Sequence, residues 1–239
     1  MGVLFLFAPF NAIGNGNHVS SGLLRRIDFL YLPQWFVSPR PETISLQELT
    51  EPMNQFVNHL TNISKLSEEA QNAINSRLVR HEYARNHILI PELSRCDKLF
   101  FIEKGLVRAF YKTDGKEITD WFGIENMIIG PVVRNFQTKN TPHSVQLLEN
   151  SIITHIHFSD LEDLYNKFHE IERLGRLIAI QTILLLQHKV DSVQLLDAKA
   201  RYQDFVNRYP MILKRAALGQ IASYLGMNQV TLSRIRKEN

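Results

Sequence analysis

The chain has 239 residues, 44% hydrophobic and 10% aromatic, which is enough apolar material for one large or two modest folded domains and too much for a disordered polymer. Its formal net charge of +3 hides an asymmetry: residues 199–239 hold eight Lys/Arg against Asp204 and Glu238, or +6, which leaves −3 for everything before them. The single cysteine, Cys96, excludes an intrachain disulfide, a cysteine-rich zinc site and a four-thiolate iron–sulfur cluster, and it fits a reducing, cytoplasmic setting.

Residues 1–52 carry Pro33, Pro39, Pro41 and Pro52, a Gly14-Asn15-Gly16-Asn17 cluster and no sustained periodicity, so they read as an N-terminal extension. The apolar run Val3-Leu4-Phe5-Leu6-Phe7-Ala8 is far too short to span a bilayer and lacks the preceding positive charge of a secretory signal, so no membrane segment is expected. Ser45 and Glu48 make a capping box for one short helix that Pro52 ends. A second reading, equally open, starts the native protein at Met53.

Residues 67–78 predict a helix, with Ser67 as N-cap and Glu68 and Glu69 favourably placed against the helix dipole. The hydrophobic period then changes to two. Segments 98–103, 106–112, 117–122, 144–148 and 152–158 are short β-rich runs, and Asp114-Gly115 between the second and third is a strong hairpin signal. Such strands with tight turns predict a small antiparallel barrel or jelly roll, the sensor-sized block 53–170.

Ser159 and Glu162 form a further capping box, and 171–196 contains no proline and one glycine, Gly175, so a long helix is expected there. Its apolar residues, among them Leu174, Ile178, Ile183, Leu186, Val190 and Val193, exceed what one buried face needs. A helix buried within a monomer would explain that; a dimerisation helix over 171–198, packed on the barrel and against a partner helix, explains it better.

The last segment, 199–239, ends in a spacing that a helix-turn-helix requires. Ile221, Leu225, Met227, Leu232 and Ile235 place apolar side chains on the inner faces of two short helices, Ala222 suits their closest approach, and Gly226 suits a positive φ at the turn. Asn228 is a good N-cap for the second helix. Stepping by three and four then gives that helix an outer face of Gln229, Val230, Ser233, Arg234 and Lys237. In a major groove Arg234 could pair bidentately with guanine and Gln229 with adenine, and Val230 or Thr231 could touch a thymine methyl, while Ser233, Arg236 and Lys237 would hold phosphates. A helical hairpin closing some other domain is the bland alternative.

Together these segments resemble the cyclic AMP receptor/FNR family of bacterial transcription regulators over about residues 60–239. The resemblance rests on Asp97-Lys98-Leu99-Phe100-Phe101-Ile102-Glu103-Lys104-Gly105-Leu106-Val107-Arg108, which is similar to the family's early β-roll, and on Asp114-Gly115-Lys116-Glu117, similar to its hairpin. It also rests on Arg208-Tyr209-Pro210 followed by Ile221-Ala222-Ser223-Tyr224-Leu225-Gly226 and Leu232-Ser233-Arg234-Ile235-Arg236-Lys237, as in a compact subgroup that ends just after the recognition helix. The family implies an α+β fold with an N-terminal cyclic-nucleotide-binding-like β-roll, a long central dimerisation helix and a C-terminal helix-turn-helix. It also implies double-stranded DNA, a second copy of the chain and RNA polymerase as partners. Gln229, Val230 and Arg234 fall at its base-reading positions; Arg234 agrees with the usual residue, whereas Gln229 and Val230 depart from the Arg/Pro and Glu common there, which implies an altered operator.

Members that bind a cyclic nucleotide use Gly-Glu and then an Arg followed by Ser or Thr. The matching segments here are Gly130-Pro131 and His143-Ser144. Pro131 cannot accept a hydrogen bond from ribose, and no arginine immediately precedes Ser144. The effector pocket formed by Gly130, Pro131, His143 and Ser144 is therefore degenerate and its effector unknown. His155 and His157 share one strand face and could in principle hold a metal or haem, but no further ligand stands at a recognisable spacing, so no metal or cofactor is assigned. The chain has no P-loop, no Gly-x-Ser-x-Gly, no zinc-protease pair and no Rossmann fingerprint, so an enzyme is not expected. A ligand sensor whose helix-turn-helix binds protein instead of DNA stays as the competing function. The degenerate pocket predicts that cyclic AMP binds weakly or not at all, and micromolar binding in an isothermal titration would overturn that expectation.

Overall fold

The computed structural model describes residues 54–130, 141 and 143–238. The extension 1–52, its capping-box helix and Pro131 lie outside the described residues. The chain divides into two compact units, Met1–Glu42 and Thr43–Asn239, and every described residue belongs to the second.

Helix α1 (Gln55–Ile63) opens on Asn54, whose side chain accepts the Phe56 N–H at 2.9 Å, and it buries Phe56, Val57 and Leu60 along one stripe. Nine residues are too few for that stripe to stand out in the sequence. Helix α2 (Glu68–Asn75) is capped by Ser67 as its sequence demands, with the Ala70 N–H on the Ser67 hydroxyl. It stops short of residue 78 because Arg77 and Leu78 turn into the first strand.

Eight strands among the described residues form two four-stranded antiparallel sheets. They are β1 (Val79–Tyr83), β2 (Ile88–Ile90), β3 (Lys98–Lys104), β4 (Val107–Thr113), β5 (Lys116–Gly123), β6 (Ile128–Ile129), β7 (Ser144–Leu147) and β8 (Ser151–His157). One sheet runs β1-β8-β3-β6 and the other β2-β7-β4-β5. All five strands expected from the sequence are present. The three that were not expected have physical excuses: β2 and β6 are too short to show alternation, and β1 is mostly exposed and held by pairing with β8. The Asp114-Gly115 hairpin forms with φ of 48° and 72° and pairs Thr113 with Lys116, the twist a two-residue turn needs.

Phe100, Ile102, Val107, Ala109, Val145, Leu147 and Ile153 fill the space between the sheets. Alternate residues of the first sheet, Phe101 and Ile156, point the other way, into a helical layer with Phe56, Leu60, Ile74, Leu164, Ile171 and Leu174. Strand β3 is thus buried on both faces at its centre, which explains the unbroken run Leu99-Phe100-Phe101-Ile102.

Helix α3 (Phe158–Lys167) corrects one expectation. Its N-cap is His157, with no side-chain cap, and the Ser159/Glu162 capping box does not start it. The strand runs straight into the helix, and the Phe158 N–H is satisfied by the Asp97 carbonyl at 2.9 Å, so no side-chain cap is needed there. Helix α4 (His169–Leu195) follows as 27 residues, close to the expected span. Helices α5 (Ala198–Arg208), α6 (Ile212–Arg215), α7 (Leu218–Tyr224) and α8 (Gln229–Lys237) complete the chain.

His155 sits on β8, 3% exposed, stacked on His81 at 5.6 Å and tilted against Phe100 at 5.9 Å. His157 shares its face, with ring centroids 5.7 Å apart. No group of three or more His, Cys, Asp or Glu side chains among the described residues is placed to hold a metal ion. Burial, reinforced by Lys98 and the neighbouring imidazoles, pushes His155 down from 6.5 to about 4. Its depressed folded-state value means that the unfolded chain takes up the proton first. Stability is then complete above 6.5 and falls as pH drops toward 4, by about 1.4 kcal/mol for each unit of depression. Half-buried His59 and His143, whose pKa values burial also lowers, act in the same direction. Thermal unfolding followed across this range should show His155→Phe flattening part of the slope; an unchanged slope would remove His155 from the acid sensitivity.

Candidate nucleic-acid interface

The two helices of the expected module are α7 and α8. Ile221, Ala222, Leu225, Leu232 and Ile235 are buried between them and their neighbours, with Met227 packed at the edge. Gly226 takes φ +66° at the exit of α7, where the Met227 N–H reaches back to the Ala222 carbonyl at 3.0 Å and the Gly226 N–H to Ser223 at 3.1 Å. Asn228 caps α8 by accepting the Thr231 N–H at 2.8 Å. Gln229, Val230, Arg234, Arg236 and Lys237 are exposed along the outer face, and Thr231 and Ser233 are half-buried beside them.

The charges of this segment fall into two groups. Arg201 donates to the Leu225 carbonyl at 3.1 Å and to the Leu196 carbonyl at 2.6 Å, tying the end of α7 to the end of the long helix. Arg208 is held by Asp204 at 2.9 Å, and Arg215 by two glutamates described below. Lys199, Lys214, Arg234, Arg236 and Lys237 have no hydrogen-bond or ion-pair partner among the described residues. The net +6 read from composition therefore overstates the free basicity, and much of what is free lies in the last turns of α8, which also suits the helix dipole.

The module is docked on the second sheet. The Ser223 hydroxyl accepts the Thr119 N–H at 2.9 Å and donates to the Glu117 carbonyl at 3.4 Å. Tyr224 lies against Phe122 at 5.6 Å and Phe205 at 5.4 Å. Arg215 forks onto Glu125 at 2.7 and 2.9 Å and onto Glu149 at 2.5 and 3.2 Å, carboxylates from two β-roll turns. Burial alone would raise the Glu125 carboxyl, but Arg215 and the Gly105 N–H hold it below the usual carboxylate range. These partners stand 66 and 90 residues from Arg215 in sequence, so no local spacing announces them.

Of the expected effector residues, Gly130, His143 and Ser144 are described, and the last two make contacts within the fold. Gly130 follows β6 in the first sheet, whereas Ser144 opens β7 in the second and its hydroxyl accepts the Glu92 N–H at 3.2 Å. His143 packs edge-on against Trp121 at 6.0 Å and Tyr111 at 6.1 Å, 3.9 Å from the Asp120 carboxylate. Burial lowers its pKa, with Asp120 opposing and Lys189 adding to the effect, so the ring is neutral near pH 7. The register of β4 and β5 slips at Ala109/Phe110, leaving Asp120 as the extra residue of a β-bulge. Lys189 of the long helix donates to both the carbonyl and the carboxylate of Asp120, at 2.6 and 2.5 Å. Burial and Asp120 push Tyr111 up to about 12.

No protein-family model and no curated protein matches the chain. Solved structures share its fold. A transcriptional regulator of the Crp/Fnr family from Eubacterium rectale aligns with a TM-score of 0.56 and 16% identity over 76% of this chain and 87% of its own. FixK2 from Bradyrhizobium japonicum aligns at 0.55 and 16%, over 67% and 83% respectively. A CooA mutant from Carboxydothermus hydrogenoformans aligns at 0.54 and 16%, over 80% and 85%. At such identities the likeness is one of fold, and the α+β arrangement of β-roll, long helix and helix-turn-helix is common to them and this chain.

Replacing Arg215 leaves two carboxylates facing each other without their shared cation. Arg215→Ala should lower stability by roughly 1–2 kcal/mol, the discount reflecting partly exposed partners, and should speed protease cleavage near Leu196 and Asp197. Arg215→Lys should recover only part of this, because one ammonium cannot fork onto both carboxylates. Denaturant midpoints and cleavage rates indistinguishable from the parent would show that the clamp does not hold the module.

Proposed function

We propose that the chain is a DNA-binding transcription regulator of the cyclic AMP receptor/FNR type, not an enzyme, acting as a cytoplasmic homodimer on double-stranded DNA with RNA polymerase as a further partner. The observation that carries this reading is the outer face of α8, where Gln229, Val230 and Arg234 stand exposed and Arg234, Arg236 and Lys237 lack internal partners. A buried scaffold that presents an unpaired cationic helix face suits phosphate and base edges better than it suits any contact within the chain.

The long helix supports the dimer. Its first turns bury Ile171 and Leu174, but further along Ile180, Ile183, Leu186, Val190 and Val193 form one exposed apolar stripe. A second copy covering that stripe would set two recognition helices a fixed distance apart, as two-fold half-sites require. No helix among the described residues is long and apolar enough to cross a membrane.

The effector reading is that of a degenerate pocket. Neutral His143 offers no cation to a cyclic phosphate, Lys189 is engaged by Asp120, and Ser144 by the Glu92 N–H. Among the described pocket residues cyclic AMP would thus lack a cation in place of the usual arginine; Arg134 and Lys139, which could substitute for it, lie outside the described residues.

Base reading by Arg234 is tested with Arg234→Ala in binding assays on a selected operator and on scrambled duplexes. Loss of roughly 1–3 kcal/mol confined to the operator, with relaxed preference at one position, is the expected result. Equal loss on every sequence would make Arg234 a phosphate contact. Binding that is neither salt-sensitive nor sequence-selective would favour the protein-interaction alternative.

A further inference from the structure

Val230 is 79% exposed, the largest exposure among the large apolar side chains of the described residues. It stands in the first turn of α8, between Gln229 and half-buried Thr231, on the same face as Arg234. Nothing among the described residues covers it, and the core side of α8 is already supplied by Leu232 and Ile235. An isolated exposed valine is ordinary on a protein surface; one placed at the entering end of a cationic helix face is in a position to touch base edges.

A major groove offers a single kind of apolar group, the methyl on C5 of a pyrimidine. Valine is branched at Cβ and stiff at χ1, so its two methyls are presented in a nearly fixed direction and little rotamer freedom is lost on contact. It has no acceptor for the cytosine amino group, so an unmethylated cytosine gains nothing from it. Asn228 fixes the start of the helix, and with it the position of residue 230, through the bond to the Thr231 N–H.

We infer that Val230 reads the C5-methyl group of a pyrimidine, and therefore does not distinguish thymine from 5-methylcytosine by that methyl but discriminates both from unmethylated cytosine. The inference rests on α8 being a DNA-reading helix. It adds a chemical class of ligand: binding should respond to methylation of cytosine in the operator as well as to sequence.

The test begins with the full-length chain and a random duplex pool, from which the preferred site is selected. Each thymine is then replaced singly by deoxyuridine, which removes only the methyl, and affinity is measured by fluorescence anisotropy at fixed salt. One thymine in each half-site should lose about fourfold in affinity on this change, the value of one buried methyl. Cytosine at that step should bind more weakly than thymine, and 5-methylcytosine should regain about the same fourfold. Val230→Ser, an exposed substitution that leaves the core untouched, should lower affinity for the thymine site to that of the deoxyuridine duplex and abolish both differences.

Deoxyuridine tolerated at every position would overturn the inference while leaving sequence-selective DNA binding standing. So would a methyl effect that persists in Val230→Ser. Recovery with thymine but not with 5-methylcytosine would show that the adenine partner, not the methyl, is read. A pool that yields no preferred sequence would instead remove the DNA-reading helix and this inference together.

Discussion

The placement of the helix-turn-helix depends on the seating of α7 against β5. Ser223 bonds to that strand's backbone at Thr119 and Glu117, Tyr224 inserts between Phe122 and Phe205, and Arg215 is gripped by Glu125 and Glu149. A carboxylate pair around one guanidinium is directional as well as attractive, because each fork fixes a plane. The apolar contacts by themselves would allow the module to slide. With the clamp in place, the β-roll, the long helix and the helix-turn-helix become one compact unit, and the direction in which α8 faces is set by strands more than a hundred residues upstream.

This seating also explains how a modestly basic protein can present a clearly basic face. Arg201, Arg208 and Arg215 spend their charge on carbonyls and carboxylates inside the fold, whereas Arg234, Arg236 and Lys237 remain on a helix whose inner side is filled by Leu232 and Ile235. Cations without internal partners keep their full hydration until a polyanion displaces it. Their contribution is then governed by counterion release and screened by salt. Structural and functional arginines are thus separated within one short segment.

The β-roll side is organised by a bulge. An extra residue in β5 turns Asp120 outward, where Lys189 from the long helix reaches both its carbonyl and its carboxylate and Tyr111 shares it. His143, next in the same cluster, is kept neutral by burial. Charge that a phosphate ligand would need is therefore absorbed in joining strand to helix. The long helix is joined to the β-roll here in its C-terminal third, while its exposed apolar stripe begins at Ile180 and continues to Val193.

Much of the architecture was legible because the signals are local. The Asp114-Gly115 turn, the Ser67 and Asn228 caps, the five main strands and the inward set Ile221, Leu225, Leu232 and Ile235 all follow from residues within a few positions of one another. So does the outer face of α8, since helical period alone sorts inner from outer. The short strands β2 and β6 were not legible, having too few residues for a period, and the Ser159 cap was misread because a carbonyl from a neighbouring strand does its work. Local order along the chain sets the elements and the inner and outer faces of α8. Long-range packing settles which arginines of the last segment are engaged within the fold, that burial lowers the His143 pKa and that Asp120 faces Lys189, because these depend on partners far apart along the chain that folding alone brings together, in surroundings where burial changes the cost of a charge.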